Sequence, residues 1–145
     1  MHTMHTSHSS TEAIIVMFAA MIIASLIAGM NLFVDKLSDI RLNINDLYMG
    51  ITMSGIMFIV MGIFYRTAKL LSVGVLIFAI GVILSRTQAF VSPKIYIQSM
   101  IPHHSMAVLM SKQLLNNYKP SKTLTNLANS IITSQESEIE LMKKM

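Results

Sequence analysis

The sequence predicts an all-α chain: three transmembrane helices followed by a two-helix hairpin that oligomerisation completes to a four-helix bundle. Three observations carry this reading. Hydrophobic residues make up 53% of the chain and charged residues only 12%, far from the balance of an average soluble domain. Long apolar runs recur through residues 13–91. Beyond them the chain turns polar, and its apolar residues return at three- and four-residue spacing, the period of an amphipathic helix.

The first twelve residues form a tail in which His2, His5 and His8 are spaced by three, with Met1 and Met4 between them. Its serines and threonines favour no fixed conformation, so it reads equally as a flexible chelating arm and as a plain polar tail. It lacks the Lys or Arg of a signal-peptide n-region, so the apolar run after it is expected to be retained. That run, residues 13–34, has no ionisable side chain and is long enough at 1.5 Å per residue to cross a hydrocarbon core of about 30 Å. A polar loop, residues 35–46, ends at Asp46, which is placed to cap the second run, residues 47–65. Arg66 and Thr67 make a very short turn, and Thr67 is placed to cap the third run, residues 70–91, with Arg86 near its far end. So short a turn makes the second and third helices antiparallel neighbours. Gly50, Ser54, Gly74 and Gly81 mark close helix approach. Met49, Met53, Met57 and Met61 form a thioether stripe, as do Met17 and Met21, and the stripe reads either as lipid and helix packing or as a soft-metal path.

Residues 92–145 form the third division of the chain, after the tail (1–12) and the membrane region (13–91). Ser92 and Pro93 offer an N-cap followed by proline at the first helical position, so a helix is expected from there to about Asn117. The breakers in NNYKPSK then separate it from a last helix running from Ser121 towards Lys143, with Leu124, Leu127, Ala128, Ile131, Ile132, Ile139 and Met142 as its apolar stripe. Two short helices standing in water bury too little surface to be stable, so the hairpin is expected to pair with a second copy.

Chemistry concentrates in MIPHHSMAVLM, residues 100–110, which holds two adjacent histidines and three methionines. The chain has no cysteine, which leaves imidazole, carboxylate and thioether as candidate ligands. On a helical wheel His103, Met106 and Met110 fall together, Met100 and His104 form a second group, and the two histidines point to different sides. Pro102 removes the helical partner of the Gln98 carbonyl and is expected to kink the axis there. On the last helix Gln135, Glu138, Met142 and Met145 share a face that can meet the histidines. Imidazole with thioether suits copper(I) or silver(I), and the candidate metal set is Met100, His103, His104, Met106, Met110, Glu138 and Met142. The competing reading is packing, because methionine fills irregular helical cores well. Nothing identifies a substrate pocket, and there is no Glu-x-x-His pair for a di-iron bundle, so the chain is not read as an enzyme. The net charge of +4 is spread along the loops and tail, which gives no footprint for nucleic acid. No acidic residue falls within the three runs, which disfavours a carboxylate proton or cation relay.

YIQSMIPHHSMAVLMSK followed by LTNLANSIITSQESEIELMKKM resembles the signature of the domain of unknown function 305 family over residues 96–145, and the methionine-rich helices before it resemble that family's membrane-anchored branch. The resemblance implies a ferritin-like bundle, copper binding or copper tolerance, and an extracytoplasmic hairpin. It also implies that Met100, His103, His104, Met106, Met110 and Met142 stand at motif positions. Where relatives commonly carry Asp-Pro before the last helix this chain has Lys119-Pro120, so the cap must come from Ser121. Only one hairpin is present, so a bundle needs a second chain. A plain count of Lys and Arg beside the runs places the C-terminus in the cytoplasm, against the family. The expectation adopted is a multi-pass integral membrane protein with an extracytoplasmic hairpin that binds copper(I) for sequestration, delivery or tolerance. The alternative is a metal-free interaction module that oligomerises or docks on a larger membrane complex.

Overall fold

The computed structural model describes residues 10–145, so the tail histidines His2, His5 and His8 lie outside the described residues. Among the described residues the chain is all-α, with α1 (Ser10–Ala28), α2 (Ile44–Phe64), α3 (Ala68–Thr87), α4 (Pro93–Asn117) and α5 (Lys122–Met142). Two short 3-10 turns, Met30–Phe33 and Leu37–Asp39, lie between α1 and α2. Three stretches, Ile14–Phe33, Ile44–Phe64 and Ala68–Thr87, are long and apolar enough to cross a membrane. The chain divides into two compact units. One takes the residues up to Ser25 with Leu47–Thr87, and the other takes Leu26–Asp46 with Gln88–Met145.

In the first unit α2 and α3 approach backbone to backbone at glycines spaced by seven. A Cβ added at Gly55 would meet the Phe78 nitrogen at 2.4 Å, at Gly62 the Leu71 nitrogen at 2.5 Å, at Gly74 the Ile59 nitrogen at 2.6 Å, and at Gly81 the Thr52 backbone at 2.8 Å. The four pairs share one antiparallel register centred on the turn at Arg66, whose left-handed φ of 51° reverses the chain. Gly74 and Gly81 therefore do what their spacing suggests, and Gly55 and Gly62 join them. Gly50 lies against Ile22 and Ser25 of α1, while the buried Ser54 hydroxyl donates to the Gly50 carbonyl at 2.7 Å. Phe18 and Phe58 stack at 6.5 Å.

Three helix limits differ from the sequence expectation. The first helix stops at Ala28 rather than Val34, because the Asn31 side chain captures the loop: its Nδ2 donates to the Arg41 carbonyl and its Oδ1 accepts from the Arg41 N–H, both at 2.9 Å. The cap of α2 is Asn43, not Asp46: its Oδ1 accepts from the N–H groups of Asn45 (2.9 Å) and Asp46 (3.2 Å), so the helix starts earlier. Asp46 consequently sits buried inside the first turn of a membrane-length helix, where the sequence had suggested no acid, and it accepts from Asn43 and Asn31. The third helix ends at Thr87 rather than Val91, with Gln88 and Phe90 at φ 49° and 64°. Thr67 precedes α3 and its carbonyl accepts from the Leu71 N–H at 3.1 Å, but its hydroxyl donates to the Tyr65 carbonyl at 3.2 Å rather than accepting from a first-turn amide, so the expected side-chain cap is not made.

In the second unit the local signals hold. Ser92 accepts from the Ile95 N–H and Ser121 from the Leu124 N–H, each at 3.4 Å, so Lys119-Pro120 leaves α5 with its cap. Ile101, Val108 and Ile139 form the core between α4 and α5, with Ile97, Ile132 and Met142 around it. The hairpin is not the bare pair of helices that the sequence suggests. Residues 26–46 lie along α4 as a strap, and they supply a third wall from the same chain.

Candidate functional site

The two histidines part company as the wheel requires: His103 is exposed and His104 is buried. One turn of α4 brings the His104 Nδ1 to 2.8 Å from the Met100 carbonyl, and the antiparallel α5 brings Glu138 Oε2 to 2.7 Å from Nε2. Carbonyl and carboxylate are both acceptors, so satisfying both contacts takes an N–H on each ring nitrogen or a proton on the carboxyl. Glu138 also accepts from the Ser134 hydroxyl at 2.9 Å, and that bond, followed by the one from His104, holds its carboxyl below the usual carboxylate range.

The seven candidate ligands do not form one site. Met100 and Met110 are ten residues apart, about 15 Å along a helix axis, more than one ion can span. An inner set takes His104, which meets Glu138 between the helices, Met100, whose carbonyl His104 faces, and Met142, which packs on the Ile101–Val108–Ile139 core at the Ile97 end of α4. An outer set, His103, Met106 and Met110, follows one face of α4, where Met110 is 62% exposed. The His103 ring lies 6.0 Å from that of His104, and His103 has no hydrogen bond or ion pair among the described residues. Gln135 is half-buried on α5. Among the described residues no three His, Asp or Glu side chains gather as a metal site.

Beside His104 the strap is sewn to the hairpin by side chains that pattern reasoning passed over. The fully enclosed Ser105 hydroxyl donates to Asp39 Oδ2 at 2.7 Å and accepts from the Asp35 N–H at 2.8 Å. Lys112 bridges Asp35 and Glu136, each at 2.8 Å, while Lys143 reaches Asp39 at 2.7 Å and Glu140 at 3.6 Å. Burial pushes the Asp39 carboxyl up, but the bonds from Lys143 and Ser105 and the Lys143 charge outweigh it and hold the group below its ordinary value. The bonds to Asp35 and Glu136 raise Lys112, and the bond to Asp39 raises Lys143. A cavity of about 330 Å³ lies among Asp35, Asp39, Glu136 and Glu140. Each of those carboxylates already faces a lysine, so the cavity has no uncompensated acid to offer a cation.

The fold thus defines a class: an all-α chain in which a strapped helical hairpin follows three helices of membrane length. Residues 84–145 match the Domain of unknown function (DUF305). The chain is also 41% identical over 138 residues to "Uncharacterized protein L153" of Acanthamoeba polyphaga mimivirus, an alignment covering 89% of this chain and 90% of that protein. The C-terminal block is a DUF305 domain, and the chain as a whole belongs to the family of the mimivirus protein. No solved structure matches the chain.

Proposed function

We propose that the chain is a multi-pass integral membrane protein whose extracytoplasmic hairpin binds copper(I), serving copper sequestration, delivery or tolerance as a binding protein rather than an enzyme. The observation that carries this reading is the outer face of α4. There an imidazole with no hydrogen bond and two thioethers recur at three- and four-residue spacing, and they offer a soft ion three donors without breaking any bond of the fold. The inner set is a second, guarded site. With Nδ1–H on the Met100 carbonyl, the His104 Nε2 lone pair faces α5, the outer-shell arrangement typical of ligating histidines, and copper(I) there takes the place of a proton shared with Glu138. Three helices of membrane length support the anchoring, and the family resemblance supports a ferritin-like bundle completed by a second copy.

The test is an anaerobic titration of the full chain with copper(I) against a chromophoric chelator, with His103→Ala, His104→Ala and the double variant alongside. Tight binding is expected, weakened about 10- to 100-fold by His103→Ala and further by the second substitution. Unchanged affinity in the double variant removes both histidines from the site.

A second reading has its own observation: Met110, Tyr118, Leu124 and Leu127 are exposed around the α4–α5 turn, an apolar patch suited to a second copy or a larger membrane complex. On that reading the apparent mass in mild detergent is indifferent to metal and survives replacement of both histidines by glutamine.

A further inference from the structure

An open groove of about 520 Å³ lies where the start of α4 meets the end of α5 and the strap. Its wall is apolar, with Ile97, Ile101 and Met142, and its rim is cationic, with Arg41, Lys94 and Lys143. No Asp or Glu lines it. Lys143 is already neutralised by Asp39 and Glu140. Arg41 is held only by carbonyls, its Nη1 donating to Ser38 at 2.8 Å and Ile40 at 2.7 Å, which fixes the guanidinium without cancelling its charge. Lys94 has no ion pair among the described residues. Two uncompensated cations over an apolar wall ask for a ligand that is anionic at one end and greasy at the other.

Sequence position says where such a ligand is found. Arg41 precedes the first residue of α2 by three residues, and Lys94 follows the last residue of α3 by seven. At no more than about 3.6 Å per residue, the two cations are tethered within about 11 and 25 Å of the ends of two membrane-length helices. We infer that this groove binds an anionic phospholipid, the phosphate on Arg41 and Lys94 and the first acyl carbons against Ile97, Ile101 and Met142. Guanidinium recognises phosphate bidentately, lysine adds a point charge, and the methyl groups take the chain that a free phosphate lacks. The inference rests on the reading that α1 to α3 cross a bilayer, and it is independent of copper.

The full chain, labelled at isoleucine and methionine methyl groups and held in mild detergent, is titrated with short-chain phosphatidylglycerol, short-chain phosphatidylcholine and inorganic phosphate. Saturating shifts of the Ile97, Ile101 and Met142 methyls are expected with phosphatidylglycerol, at concentrations well below those that phosphatidylcholine needs, and none with phosphate. Arg41→Gln with Lys94→Gln weakens the binding about 30-fold and Lys94→Gln alone about 5-fold. The single variant guards against disturbance of the strap by loss of Arg41. Lys119→Gln with Lys122→Gln, an equal charge change at the α4–α5 turn, leaves the affinity unaltered. Equal response to both lipids, equal loss in both double variants, or methyl shifts with inorganic phosphate overturns the inference. Alkaline carbonate extraction of membranes carrying the chain tests the span reading separately: release into the supernatant sinks that reading, while the methyl titration still decides whether the groove takes the lipid.

Discussion

Replacing Ser105 with alanine should loosen the strap while leaving the hairpin folded. The hydroxyl is fully enclosed and makes two bonds, one to the Asp39 carboxylate at 2.7 Å and one from the Asp35 N–H at 2.8 Å. A hydrogen bond to a charged group contributes about 1.5–3 kcal/mol, and a half-buried N–H left without its acceptor costs about 1 kcal/mol more. Asp39 keeps Lys143 at 2.7 Å and Ser38 at 3.4 Å, so the variant does not strand a buried charge. The loss is therefore about 3 kcal/mol of strap docking, or about 150-fold in the opening equilibrium. Amide hydrogen exchange reads it at backbone N–H groups that are not themselves bonded to Ser105: that of Arg41, bonded to Asn31, and that of Asp39, bonded to the Lys36 carbonyl. Protection there should fall by that factor, while amides in the middle of α5 change little. Ser99→Ala, which removes only a back-bond to the Ile95 carbonyl within α4, serves as comparison. Equal protection of the strap in Ser105→Ala and the unaltered chain refutes the seam.

Three further outcomes follow from the packing and the charges. Gly55→Ala gains about 1 kcal/mol of helix propensity but forces α2 and α3 about 1 Å apart at the Phe78 nitrogen, an overpacking cost of about 1–3 kcal/mol; thermal unfolding in detergent should show no gain and up to about 2 kcal/mol of loss, and a clear rise in stability refutes the close approach. Asn43→Ala should destabilise the first turn of α2 by about 1 kcal/mol, seen as faster exchange at the Asn45 and Asp46 amides, and unchanged exchange denies Asn43 the capping role. Because the Asp39 carboxyl is held below its ordinary value of 3.8, its share of strap stability is complete above that pH and drains as the pH falls through the lower folded value. Lys143, raised from 10.5, contributes fully below that pH and is lost as the pH climbs past its raised value. Strap protection should thus be level through neutrality, and a transition centred near pH 6 would assign the control to a histidine instead.

What could be read without coordinates was what neighbouring residues decide among themselves. Ser92-Pro93, Ser121 and the NNYKPSK breakers act over one helical turn, and α4 and α5 begin and end where those signals put them. The division of the histidines into an exposed and a buried one followed from 100° per residue, and so did the meeting of His104 with Glu138 once the helices were antiparallel. The strap was hidden because its bonds join residues far apart in the chain: Asp39 and Ser105 are 66 positions apart and Asp35 and Lys112 are 77. Asp35 and Asp39 look like ordinary loop charges until the tertiary partner is known. Asn31 likewise ended α1 through a partner ten residues away, against an apolar pattern that ran on to Val34. Residue type and wheel angle left the number of centres open because they ignore rise along the axis, which separates Met100 from Met110.

The strap changes what counts as a module in this chain. The DUF305 match begins at residue 84, whereas the strap ends at Asp46, before α2 and α3 intervene. A fragment excised at the match boundary would carry Ser105 and Val108, both enclosed in the intact chain, onto a face that has lost its cover. It would also take one carboxylate from Lys112 and one from Lys143. Transplanting the hairpin onto another anchor therefore means transplanting the first interhelical loop with it, because the inheritable unit is discontinuous in sequence.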